Sequence, residues 1–74
     1  MVNQFEQGRT YVLRRNYIVR VPQSEGIRNI VFPIGTRFEC VSVDTLDRIA
    51  NMKTKENIVV GFRYGDQRVR TAFE

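Results

Sequence analysis

In the stretch "RTYVLRRNYIVRV", residues 9–21, Tyr11, Leu13, Tyr17, Val19 and Val21 all stand on one parity. A two-residue apolar period in a run of β-branched and aromatic residues marks a strand with one buried face, because successive side chains point to opposite sides. Arg14 and Arg20 fall on the other parity and are expected in water. Arg15 interrupts the alternation, which predicts a bulge or bend at Arg15–Asn16. Pro22 is expected to end the strand, since it has no N–H for a ladder.

The same reasoning divides the rest of the chain. "PQSEGIRN", residues 22–29, carries Pro, Ser, Gly and Asn and reads as a surface loop. In "IVFPIGTRFECVSV" Pro33 presets a turn, Gly35 suits a positive φ, and Phe38 and Cys40 resume an inward alternation against Arg37, Glu39 and Val41, giving strand, turn, strand. For residues 44–53 two readings stand. The helical spacing of Leu46, Ile49, Ala50 and Lys53, with Asp44 as cap and Asp47 in the first turn, favours one or two helical turns, and a short strand from Ile49 to Lys53 is the alternative. "TKEN" is a polar turn. "VVGFRYGDQRVR" is predicted to be a β-hairpin with a Gly65–Asp66 loop, pairing Tyr64 with Gln67, Phe62 with Val69, Val60 with Thr71 and Ile58 with Phe73. That register sends Arg63, Arg68 and Arg70 to the opposite face, with Arg63 directly facing Arg68.

A 74-residue chain supports a single domain. Residues 1–8 are expected to form a flexible arm and residues 9–74 one domain. Cys40 is the only cysteine and there is no histidine, so neither a disulfide nor a zinc site of thiolates and imidazoles is available. No apolar run has the length of a membrane span, and residues 1–10 lack the pattern of a signal peptide; the expected setting is the cytoplasm, that of a host cell if the protein is viral. Five or six short strands in so short a chain favour a mainly β small barrel with at most one short helix.

"YVLRRNYIVRVPQSEG…FPIGTRFECVSV" resembles the opening of an SH3-like barrel: a strand, a long irregular loop, a diverging turn with Gly35 before the next strand, and a hairpin later on. The resemblance implies an order of elements. It does not extend to proline-rich ligands, because the aromatic and acidic residues that hold them in SH3 domains are not recognisable and tryptophan is absent. In size and style the chain is also similar to small accessory proteins of bacteriophages, which implies an interaction protein that binds and inhibits a host protein.

Catalytic chemistry has little to draw on. Without histidine the usual acid–base group near neutral pH is missing, and Cys40 lies on the inward parity with no base beside it. Asp44 and Asp47 are explained by capping, and no glycine-rich phosphate loop or cofactor motif occurs. The expectation is a non-enzyme.

Charge points instead to binding. The formal net charge is +4, and ten of the twelve basic residues are arginine, whose planar fork grips phosphate or carboxylate with two hydrogen bonds. Arg63, Arg68 and Arg70, supported by Arg14 and Arg20, are the candidate surface for an anionic macromolecule, with nucleic acid as the expected partner. The plainer reading is a solvated face in which Glu39, Glu56, Asp66 and Glu74 pair with these arginines. A protein-docking patch of Phe32 and Ile34 with Ile30, flanked by Arg28 and Arg37, is the rival site if those side chains face solvent. A continuous basic stripe would favour nucleic acid, and an apolar patch rimmed by arginine would favour a protein. A homo-oligomer is a third possibility, through an unpaired edge on a C-terminal strand ending at Phe73.

Overall fold

In the computed structural model, which describes residues 2–73, the chain is mostly β. Six strands run in order: β1 (Thr10–Val12), β2 (Tyr17–Gln23), β3 (Gly26–Phe32), β4 (Arg37–Asp44), β5 (Ile49–Lys53) and β6 (Val59–Arg63). One short helix, α1 (Gln67–Ala72), follows. β1, β4, β5 and β6 form an antiparallel sheet in that order, and β2 and β3 form a separate two-stranded ribbon. An isolated bridge from Leu13 to Phe73 returns the end of the chain to the first strand.

The alternation expected from Arg37 to Val41 is present: Phe38 and Cys40 are buried while Arg37, Glu39 and Val41 face solvent, and a bulge between Cys40 and Ser42 then shifts the register so that Val43 packs against the core. Their turn is built as expected, with Gly35 at φ +88° and its N–H donating to the Leu13 carbonyl at 2.8 Å. The polar turn at 54–57 also forms; the Thr54 hydroxyl accepts from the Ile58 N–H at 3.2 Å and Asn57 takes a positive φ.

Residues 9–21 are not one strand. A bend at Arg14–Arg15 separates β1 from β2, and the two strands join different sheets. Pro22 does not end β2, and residues 22–29 are not a loop: Pro22 pairs with Ile27, and only Ser24 and Glu25 turn the hairpin. A two-stranded ribbon tolerates this proline because each strand has a side with no neighbour to receive an N–H. Residues 44–53 are a turn and a strand rather than a helix, with Asp44 Oδ1 accepting from the N–H groups of Leu46 and Asp47 at 3.0 and 3.1 Å. The cap read from the sequence is real, but it closes a tight turn, which Arg48 leaves at φ 54°.

The larger correction concerns the C-terminus. No hairpin forms at Gly65–Asp66; β6 pairs with β5 instead, and residues 67–72 are helical. Asp66 caps the helix, its side chain accepting from the Arg68 N–H at 2.9 Å. Val69, Ala72 and Phe73 are buried, at the i, i+3, i+4 spacing of a helix face continued one residue beyond its end.

The core is a cluster of rings. Phe38, wholly buried, makes edge-on contacts with Phe32, Phe62 and Phe73 at centroid distances of 5.1, 5.2 and 5.8 Å. Such arrangements place the positive edge of one ring on the negative face of the next. Residues 2–8 take part as well: Phe5 is buried edge-on against Tyr11 and Phe73, and the Val2 N–H donates to the Arg70 carbonyl at 2.9 Å.

Candidate functional site

The ribbon is apolar on both of its faces, and the chain covers only one of them. Directly opposed residues share a face, so Tyr17 with Phe32, Val19 with Ile30 and Val21 with Arg28 make the inner side. Tyr17, Val19 and Ile30 pack against the core, and the Tyr17 ring lies edge-on to Phe62 at 5.5 Å. The outer side carries Ile18 with Val31, Arg20 with Asn29, and Pro22 with Ile27. There Ile18, Val31 and Ile27 are 62%, 58% and 68% exposed. Arg20 stands between the two apolar pairs and Arg28 projects from the far end of the inner side. Just past β3, Ile34 is also exposed, its N–H held by the Asn16 side chain at 2.8 Å.

This partly matches the rival patch. Ile34, Arg28 and Arg37 are exposed, Ile30 is half-buried, and Phe32 is not on the surface at all: it is 5% exposed in the ring cluster. Phe32 turns inward because it opposes Tyr17 on the core side of the ribbon. The residues missed, Ile18, Val31 and Ile27, had a visible signal. "YIVRV" and "NIVF" are apolar on both parities, as in strands covered on two sides.

The arginines are dispersed. Arg63 lies on the outer face of the four-stranded sheet, opposite Ile49. Arg68 and Arg70 are two apart on a helix and so point away from each other. Arg68 pairs with Asp66 at 3.1 Å, and that guanidinium, with the Arg68 N–H, holds the Asp66 carboxyl below its ordinary range. Arg70 donates to the Tyr64 and Gly65 carbonyls at 2.8 and 3.1 Å. Arg15, which the sequence reading left aside, donates to the Arg68 carbonyl and the Thr71 hydroxyl at 2.8 and 3.0 Å, tying the bend before β2 to α1. Arg14 and Arg20 are exposed on separate segments.

Of the carboxylates expected to neutralise these arginines, Asp66 does so for Arg68, Glu39 pairs with Lys53 at 3.9 Å, and Glu56 has no ion-pair partner among the described residues. Glu74 lies outside the described residues. Burial pushes the Cys40 thiol up, and the Tyr17 hydroxyl is raised first by burial and then by nearby Asp66. Among the described residues no cluster of His, Cys, Asp and Glu could hold a metal ion, and no helix is long and apolar enough to cross a membrane. Comparison with protein-family models, with curated proteins and with solved structures finds no match.

Proposed function

We propose that the protein is a non-catalytic binding module that engages another protein through the outer face of the β2–β3 ribbon. The observation that carries this reading is three large aliphatic side chains, each more than half exposed, on one face of a strand pair whose sequence is apolar on both sides. Such patches on small soluble domains mark interaction surfaces. On this face Arg20 and Asn29 stand between two apolar pairs, which suits a partner surface that offers both apolar and guanidinium contacts, arginine being enriched in protein interfaces. A nucleic-acid surface built on Arg63, Arg68 and Arg70 fits less well, since Arg68 and Arg70 point apart and both hydrogen-bond within the chain. Action on a host protein, in the manner of a small phage protein, is the biological form of this proposal.

The fold reading that accompanies it is an SH3-like barrel. The meander β1-β4-β5-β6, a long hairpin between its first two strands, and the Leu13–Phe73 bridge after a single helical turn or two support that order of elements.

The test is capture from a nuclease-treated host lysate by the immobilised protein, beside an Ile18→Thr/Val31→Thr variant and a nucleic-acid binding assay at two salt concentrations. One protein retained near stoichiometry by the parent and lost by the variant is the expected result. Salt-dependent binding of DNA or RNA with no retained protein would overturn the proposal.

A further inference from the structure

At the opposite end of the four-stranded sheet from Arg63, cations gather around two adjoining hollows. Glu39 on β4 pairs with Lys53 on β5 in an antiparallel register. Beyond that pair Arg37 begins β4 and Lys55 lies in the turn that follows β5, and both line the same two adjoining hollows. The larger, of about 420 Å³, is bounded by Thr10, Arg37, Glu39, Lys53, Lys55 and Asn57, with the Thr54 corner at its base. Three cations therefore line the two hollows with two carboxylates, Glu39 in the larger and Glu56 in the smaller. The Glu39 carboxylate is only loosely held, 3.9 Å from the Lys53 ammonium. Among the described residues neither Arg37 nor Lys55 has an ion-pair partner.

We infer that this cleft is a binding site for a phosphate group. Arg37 supplies a planar fork suited to two phosphate oxygens, Lys53 and Lys55 act as flanking point charges, and Thr10 and Asn57 offer neutral hydrogen-bonding side chains at the rim. The site is open to solvent on the outer face of the sheet, so the ligand is a phosphate carried on a larger body or free in solution, and it binds with strong salt dependence. These residues lie on the four-stranded sheet and its β5–β6 turn rather than on the outer face of the ribbon, and the site does not rest on the protein-binding proposal.

Amide chemical shifts followed while inorganic phosphate, pyrophosphate and a short oligothymidylate are added at constant ionic strength test this directly. The expected result is saturable movement confined to residues around Thr10, Arg37–Glu39 and Lys53–Asn57. Affinity should weaken about tenfold for each cation removed in Arg37→Ala and Lys55→Ala, and be unchanged in Arg63→Ala. Pyrophosphate binding at least as tightly as the oligonucleotide assigns a small phosphate ligand; a tighter oligonucleotide assigns a nucleic-acid strand, and either supports the site. Shifts that fail to saturate, or that survive in an Arg37→Ala/Lys55→Ala variant with a native-like spectrum, would overturn it.

Discussion

Replacing Ile18 and Val31 together by threonine separates what the ribbon does for the fold from what it offers a partner. Threonine keeps the β-branched shape that suits a strand while removing apolar surface. In the free protein these side chains are 62% and 58% exposed, so about two-fifths of each is already covered by the chain itself. Taking roughly 2–3 kcal/mol for burying such a side chain completely, the covered share is about 1 kcal/mol each, and the pair should cost no more than about 2 kcal/mol of stability. The open three-fifths, about 1.5 kcal/mol each, is available only to a partner; its loss corresponds to roughly a hundredfold in Kd. Urea denaturation followed by circular dichroism measures the first quantity, and titration of the retained protein by calorimetry the second. A variant destabilised by more than about 4 kcal/mol would show that the chain covers this face itself. Binding changed less than about threefold would show that the face is not the interface.

Other outcomes follow from the same geometry. Phe38→Ala removes the central ring at a cost of about 3–5 kcal/mol, which reaches the lower end of the roughly 4–11 kcal/mol of stability expected for 74 residues. It should be largely unfolded by circular dichroism at physiological temperature, whereas Phe38→Leu should stay folded with a lower urea midpoint. Asp66 is held below its ordinary range by Arg68, so its ionised form stabilises the fold above the unfolded-state pKa, about 3.9, and that contribution is lost as pH falls through the lower folded-state value. Asp66→Asn should lower the urea midpoint at neutral pH and close the gap to the parent below about pH 4; a constant gap would refute the linkage. Cys40 is buried with its thiol pushed up by that burial, so alkylation should be slow in buffer and fast in urea, and rapid labelling of the folded protein would contradict its placement.

How much was legible in the sequence varied with how local the deciding interaction was. For residues 33–44, Pro33, Gly35 and the parity of Phe38 and Cys40 all point the same way, and turn and strand form as read. Asp44 likewise announced a local cap, although whether a helix or a tight turn followed it depended on Ile49–Lys53 finding strands on both sides. The arginine trio was misplaced because it was inferred through a register that does not exist. The ribbon's outer face was visible in "YIVRV" and "NIVF", but only once β2 was seen to leave the first sheet could its lack of cover be known.

By itself, then, the order of residues determined that this is a mostly β chain, that Phe38 and Cys40 turn inward, and that turns break it at 33–36 and 54–57; these follow from side-chain alternation and from the backbone freedom of a few residues. Tertiary structure alone decided the fate of residues 67–73. Val69, Thr71 and Phe73 satisfy a strand's period and Val69, Ala72 and Phe73 a helix's, so periodicity could not choose. The choice fell to distant contacts: β5 pairs with β6 along the sheet, and a helical turn is what brings Phe73 back to Leu13 and into the rings of Phe38 and Phe62.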